Sequence, residues 1–167
     1  MAKFEDYAPL LKAFEGGFVN DCSDPGGATM MGVTLATFRQ YYGQNKSVND
    51  LKMISNEQWT RIMRTYWDRV LADKIANQSV ANMLVDWVVN AGFAVIKNVQ
   101  SAFGCIPDGV IGSKSLAAIN ETSPIIAFSK IQSARVQYYI SLAEKNPTKK
   151  KFLAGWLSRV NKIHFAK

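Results

Sequence analysis

The amino-acid sequence predicts a mainly helical, all-α fold. Apolar residues recur at helical spacing in several segments. Of the 167 residues, 48% are hydrophobic, so the chain is able to bury a sizeable core. A loop at residues 15–34 interrupts the helical pattern and holds five of the eleven glycines. No internal repeat or linker is evident, and the sequence is therefore interpreted as one domain.

The first helix is predicted from four apolar residues that share one face. These residues are Tyr7, Leu10, Leu11 and Phe14. Gly16 and Gly17 should end the helix, because glycine accepts the left-handed backbone of a helix end. Glu15 would then be the last helical residue, where the negative end of the helix dipole favours a protonated carboxyl. Glu15 is thus a candidate general acid, although an ordinary exposed glutamate fits the same position.

The glycine-rich loop brings further polar residues towards the end of this helix. The sequence Asp-Pro-Gly-Gly at residues 24–27 is typical of a tight turn. Such a turn would bring Asp24 and Thr29 back towards Glu15, and Asp21 lies just before it. Two carboxyl groups and a hydroxyl are what a glycosidase needs, since one carboxyl protonates the glycosidic oxygen while the other orients water or stabilises positive charge on the sugar.

The next helices are predicted from their capping residues. Thr34 should cap a helix over residues 35–42, with Gly43 at its end. Ser55 and Gln58 form a capping-box pattern that opens a helix to about Lys74.

Residues 79–99 are apolar on nearly every side and predict the central buried helix. Asn82, Asp86 and Asn90 recur within it at four-residue spacing and form a polar stripe. The stripe either bonds to neighbouring parts of the fold or lines a substrate cleft, since buried polar groups need partners. Gly92 either permits close approach of another helix or ends this one.

The C-terminal part predicts a turn and two more helices. The sequence Asp-Gly-Val-Ile-Gly at residues 108–112 indicates a turn between helices. Ser123 and Pro124 should cap a long helix that reaches about Lys145. Arg135 lies on its apolar face, as either a paired buried cation or one that extends to solvent. Thr148 is expected to open the last helix.

Several kinds of chemistry are excluded by what the sequence lacks. His164 is the only histidine, so a zinc site of several His or Cys ligands is not expected. No motif supports a Cys-His pair made with Cys22 or Cys105, and both cysteines are expected to be buried or half-buried thiols. We expect no cofactor and no metal, which leaves carboxylate chemistry.

The net charge is +7 and the formal isoelectric point is near 9.5, which favours an anionic partner such as cell wall, nucleic acid or membrane surface. No uncharged apolar run reaches about 18 residues, so no membrane insertion is expected.

The loop sequence resembles a known family. Glu15-Gly-Gly-Phe-Val-Asn-Asp, followed by Asp24-Pro-Gly-Gly, Thr29 and Gly32-Val-Thr, is similar to the motif of family 108 glycoside hydrolases, which are N-acetylmuramidases often called secretion activator proteins. The order Glu, Asp, Thr also resembles that of phage-type lysozymes, with an interval one residue shorter. The resemblance implies a lysozyme-like helical domain with a glycine-rich active-site loop or small hairpin after the first helix.

The resemblance extends to the rest of the chain. The turn at residues 108–112 is similar to helical peptidoglycan-binding motifs, although Ser115 stands where Thr is common. We therefore expect one domain over residues 1–167, with a catalytic part at residues 1–92. A peptidoglycan-binding-like helical part at residues 93–167 is expected to pack on it.

The implied function is a peptidoglycan hydrolase that cleaves the β-1,4 bond between N-acetylmuramic acid and N-acetylglucosamine. Glu15 is the expected general acid, and Asp24 and Thr29 are expected to position water or stabilise the transition state. Asp21 is the reserve candidate for the second carboxylate. Asp21, Asp86 and Asn90 are the expected substrate-binding residues.

Two alternatives belong to other classes: a non-catalytic peptidoglycan-binding or secretion-helper protein, and a basic helical nucleic-acid binder. The acidic loop would repel phosphate, so no nucleic-acid partner is expected. The N-terminus lacks the apolar core of a signal peptide, which predicts synthesis in the cytoplasm. Action on the wall, as in phage-type endolysin lysis, would then need release through a holin-type pore.

Overall fold

The computed structural model describes residues 1–20 and 27–166 and confirms the mainly helical fold class. A small antiparallel sheet follows the first helix, at the place where the resemblance implied a glycine-rich loop or a small hairpin. The helices and strands, in chain order, are α1 (Phe4–Phe14), β1 (Phe18–Asn20), β2 (Ala28–Met30), β3 (Val33–Thr34), α2 (Leu35–Tyr42), α3 (Val48–Lys52), α4 (Asn56–Arg69), α5 (Gln78–Ala91), α6 (Ile96–Ala102), α7 (Ser113–Glu121), α8 (Pro124–Lys145) and α9 (Leu153–Asn161). Within the described residues, short 3-10 helices lie at Ala72–Lys74, Phe93–Val95 and Pro147–Phe152.

The chain divides into two compact units. One unit comprises Glu5–Thr65, and the other comprises Met1–Phe4 together with Tyr66–Lys167. The expected single domain, with its division near residue 92, stays a prediction.

The unit at residues 5–65 contains the sheet, whose strand order is β1-β2-β3. Phe18 pairs with Met30, and Met30 pairs with Val33, so both connections are antiparallel. Side chains from the sheet and the surrounding helices form its core. Its fully buried apolar residues include Tyr7, Leu11, Val33, Phe38, Leu51, Trp59, Ile62 and Met63.

Helix starts in this unit follow the predicted caps. The Thr34 hydroxyl accepts a hydrogen bond from Thr37 N at 3.1 Å, and α2 ends before Gly43. Ser55 and Gln58 form the predicted reciprocal pair at the start of α4, at 3.0 and 3.1 Å. These matches are expected, because capping depends on the local sequence.

The predicted end of this helix near Lys74 is wrong, since α4 ends at Arg69. Leu71 has φ 52°, a left-handed backbone that stops an α-helix, and a short 3-10 helix follows. A leucine gives no sequence signal for this conformation, because non-glycine residues rarely adopt it.

The second unit is built around α5, in which nine residues are buried. The central helix ends at Ala91 because Gly92 has φ 82°, which confirms the second interpretation of that glycine. Helix α8 spans the predicted Pro124–Lys145. Asn146, not Thr148, caps the last helical segment, since its side chain accepts a hydrogen bond from Thr148 N at 3.2 Å and Pro147 occupies the first position.

Among the described residues, none of the helices has the length and apolar character needed to cross a bilayer.

Candidate active site

Glu15 lies directly after α1, at the junction between the helix and the sheet. Its backbone N donates to Leu11 O at 3.0 Å, so the residue continues the helical bonding although α1 ends at Phe14. The prediction that Glu15 is the last helical residue is therefore off by one position. The residue is half-buried.

The Glu15 carboxyl lies against Gly32. A Cβ atom added to Gly32 would lie 2.6 Å from Glu15 Cδ and closer still to Glu15 Oε2, so it would clash with the carboxyl group. Gly32 also has φ +76°, a conformation that favours glycine. A residue with a side chain at this position would therefore push the carboxyl away as well as strain the backbone.

The turn that carries Gly32 joins β2 to β3 in two residues. Met31 has φ 48° and Gly32 has φ 76°, and two positive φ values define the type I′ turn that suits a tight hairpin. The indole nitrogen of Trp59 donates to Met31 O at 2.9 Å and fixes the turn to α4. Strained backbone at a non-glycine residue is costly, so this hydrogen bond helps to hold the turn in place.

Helix α1 places the positively charged side chain of Lys12 beside Trp59. Lys12 Nζ lies 4.8 Å from the centre of the Trp59 ring, and it donates a hydrogen bond to Asn56 Oδ1. Trp59 itself is fully buried. It therefore acts through its indole N–H and its ring face, as a core residue that supports the turn.

Thr29 lies in the centre of β2, opposite Val19 of β1 and Thr34 of β3. Its hydroxyl donates to Gly27 O at 3.3 Å, and its side chain is half-buried. Glu15 and Thr29 thus both belong to the unit at residues 5–65. Asp21, Cys22 and Asp24 lie outside the described residues, and the roles of both aspartates stay predictions.

Asp86 lies in the second unit and is fully buried. Arg135 Nη2 donates to its Oδ2 at 2.8 Å, and Arg159 donates to both oxygens at 2.9 Å. Burial alone would raise the pKa of Asp86, but the hydrogen bond from Arg159 and the charges of both arginines outweigh it and hold the pKa below its ordinary value. Asp86 thus stays a carboxylate and joins α5, α8 and α9.

The other members of the polar stripe also have partners within this unit. Asn82 Oδ1 accepts from Gln78 Nε2 at 2.7 Å, and Asn90 Oδ1 accepts from the Tyr139 hydroxyl. These contacts agree with the interpretation that the stripe bonds to neighbouring parts of the fold, and they show Arg135 to be a paired buried cation. Substrate contact by Asp86 and Asn90 stays a prediction.

The turn at residues 108–112 is held by Gln100, which is 2% exposed. Gln100 Nε2 donates to Asp108 Oδ1 at 2.7 Å and to Val110 O at 3.0 Å, and Gln100 Oε1 accepts from Gly109 N at 2.8 Å. The hydrogen bond from Gln100, together with one from Val110 N, lowers the pKa of Asp108. The expected turn between two helices is present, and Cys105 beside it is half-buried.

Sequence reasoning missed the residues that support Glu15. Trp59 lies in the core, and no pattern in the sequence pointed to the hydrogen bond from its N–H group to the turn. Gly32 belongs to the motif at residues 32–34, so the signal was available, yet its contact with Glu15 depends on the folded hairpin. Arg159 and Tyr139 were likewise not identified as partners of Asp86 and Asn90.

A mainly helical fold, a small sheet after α1 and a glutamate at their junction define a lysozyme-like class of protein. Residues 9–92 match the family model described as Glycosyl hydrolase 108, and residues 95–161 match the one described as Predicted Peptidoglycan domain. The chain belongs to the glycosyl hydrolase 108 family.

The solved structures support this assignment. The chain is similar to SagA of Brucella abortus, with 33% sequence identity and a TM-score of 0.84 over 96% of this chain and 90% of that one. Comparison with curated proteins gives no match. The family matches indicate a peptidoglycan-related function, with peptidoglycan as a partner.

Proposed function

We propose that the chain is an N-acetylmuramidase, which hydrolyses the β-1,4 bond between N-acetylmuramic acid and N-acetylglucosamine. The observation that best supports this proposal is the half-buried Glu15 carboxyl, held against Gly32 within the segment that matches glycosyl hydrolase 108. A carboxyl held in a fixed position suits a general acid, which must lie within hydrogen-bond reach of the oxygen that it protonates.

In this mechanism Glu15 donates its proton to the glycosidic oxygen while the bond to the anomeric carbon breaks. A second carboxylate then activates a water molecule or stabilises the positively charged sugar, and Thr29 helps to orient the water. Asp24 is the proposed second carboxylate, with Asp21 in reserve. A separation of about 6.5–9.5 Å between the carboxyls would give inversion, and about 5–5.5 Å would give retention.

The test compares wild type with Glu15→Gln on purified peptidoglycan. New reducing ends are converted to sugar alcohols with borohydride, and the products are identified after acid hydrolysis. We expect muramitol from wild type and a loss of about 100-fold or more in Glu15→Gln, because general acid catalysis contributes about that much. Glu57→Gln, an exposed glutamate of α4, is the matched control and should keep full activity.

Two other results would contradict parts of this proposal. Full activity in Glu15→Gln would exclude Glu15 as the acid, and glucosaminitol from wild type would exclude a muramidase. In the same assay, Asp24→Asn should lose more activity than Asp21→Asn if Asp24 is the second carboxylate.

A second candidate function is peptidoglycan binding without cleavage, as in a secretion helper. The match of residues 95–161 to a peptidoglycan domain favours it, because binding by that segment does not require Glu15. Wild-type protein that sediments with peptidoglycan but leaves the glycan uncut would support this function.

The proposed route to the wall is synthesis in the cytoplasm followed by holin-type release. It predicts that cells which make the chain lyse only when a holin is made with it. Lysis without a holin would contradict this route.

A further inference from the structure

A cavity of about 530 Å³ lies beside the loop between α6 and α7, within the segment that matches the peptidoglycan domain. Its volume is in the range of sites that bind small molecules. The residues that matter for its chemistry are Gln100, Ile106, Asp108, Val110, Lys114 and Ser115.

One wall of the cavity is polar and fixed. The Gln100 side chain makes the hydrogen bonds to the 108–112 turn described above, and its Nε2 also donates to Ser115 Oγ at 3.2 Å. Both Gln100 and Ser115 are buried, at 2% and 5% exposure. A buried amide whose nitrogen and oxygen both bond the turn holds the loop in one shape, which lowers the entropy cost of binding.

The rim of the cavity is apolar and open to solvent. Ile106 is 78% exposed and Val110 is 65% exposed, and both line the cavity. Alkyl groups of a ligand that packed on these two side chains would be removed from water, which favours binding. The rim is suited to small alkyl groups.

The same cavity carries both signs of charge. Asp108 and Lys114 are both exposed side chains that line it. A ligand that matches this arrangement carries an ammonium group and a carboxylate as well as apolar groups. The glycan strand of peptidoglycan is neutral apart from its lactyl groups, which are amide-linked in the polymer, whereas the peptide stem has alanine methyls, free carboxylates and the amino group of a diamino acid.

We propose that this cavity binds the peptide stem of peptidoglycan. Stem methyls would lie on Ile106 and Val110, while a stem carboxylate meets Lys114 and the amino group meets Asp108. The proposal rests on the proposed function only in its choice of polymer, and it requires no cleavage.

The test measures binding of a soluble stem tetrapeptide, L-alanyl-γ-D-glutamyl-diaminopimelyl-D-alanine, to the full chain by calorimetry. We expect Ile106→Asn and Lys114→Ala each to weaken binding about fivefold or more, since each removes one complementary group. The controls are Ile126→Asn, which changes an isoleucine of α8 that is 52% exposed, and Lys149→Ala, which removes an equal charge elsewhere. Both controls should bind like wild type.

A peptide-free chitooligosaccharide is titrated in parallel. No binding of the tetrapeptide to wild type at millimolar concentration would overturn the proposal, and so would equal binding by Ile106→Asn and wild type. Loss of binding in Ile126→Asn but not in Ile106→Asn would place the binding site on the surface of α8 and overturn the proposal. Val110→Asn provides a second rim variant, should Ile106→Asn lose its helical circular dichroism.

The same titration with Glu15→Gln separates this proposal from the proposed function. Retained tetrapeptide binding without hydrolysis supports both the cavity and the catalytic assignment. Hydrolysis by wild type without tetrapeptide binding would overturn the cavity alone, and tetrapeptide binding without hydrolysis by wild type would overturn the muramidase alone.

Discussion

Glu15 and Gly32 are 17 positions apart in sequence, yet they share one small volume. The glutamate brings the carboxyl, and the glycine leaves the space that the carboxyl occupies. Adding a methyl group at residue 32 changes two things at once. It forces a side chain into a positive φ of 76°, and it places a carbon 2.6 Å from Glu15 Cδ. The candidate catalytic glutamate is therefore positioned by a residue that has no functional group.

We predict that Gly32→Ala lowers peptidoglycan hydrolysis by about tenfold or more, because a displacement near 1 Å of a catalytic group has effects of this size. The strained backbone should also reduce the free energy of unfolding by about 1–3 kcal/mol. Hydrolysis rates and urea denaturation measure the two effects. Gly17→Ala is the matched control, since an added Cβ there contacts nothing within 4 Å. Wild-type activity in Gly32→Ala would show that the contact with Glu15 is unnecessary.

At the scale of elements, Asp86 connects three helices of the second unit through two arginines. A buried carboxylate is costly by itself, but the cost of breaking the cluster is larger, because two guanidinium groups would lose their counter-charge. The arrangement explains why a charged residue lies on an otherwise buried face of α5. It also explains why Arg135, fully buried on α8, is tolerated.

We predict that Asp86→Asn lowers the free energy of unfolding by about 3 kcal/mol near neutral pH. The pKa of Asp86 lies below its ordinary value of 3.8 in the folded chain, so its contribution is present above pH 3.8 and is lost as the pH falls through the folded pKa. The difference between wild type and Asp86→Asn should therefore shrink below pH 3.8. Urea denaturation across this pH range tests it, with exposed Glu121→Gln as the control. A difference that does not change with pH would contradict the prediction.

At the scale of the whole molecule, the sequence predicted what depends on neighbouring residues and missed what depends on distant ones. Thr34 and Ser55 each accept a hydrogen bond from the backbone N–H three residues further on, and Pro124 occupies the first position of α8, so all three helices begin as expected. Leu71 shows the limit, because its left-handed backbone follows from the fold and not from its side chain. For the candidate site, Glu15 was identified by its predicted place at the end of an amphipathic helix, whereas its contact with Gly32 required the hairpin to form.

The net charge of +7 leads to a prediction about the complete protein on its polymeric partner. Long-range attraction to an anionic wall is screened by salt, with a Debye length of about 10 Å at 0.1 M and 3 Å at 1 M. Binding to intact wall sacculi, measured by sedimentation with Glu15→Gln to prevent cleavage, should therefore weaken as salt increases. Lys149, Lys150 and Lys151 are exposed and adjacent, and replacing all three with alanine lowers the net charge from +7 to +4.

This triple variant should show a smaller salt dependence, while its binding of the uncharged chitooligosaccharide stays at the wild-type level. Equal salt dependence in both proteins would show that the lysine run adds nothing to the attraction. The long-range attraction would then come from the remaining net charge of +4 elsewhere in the chain.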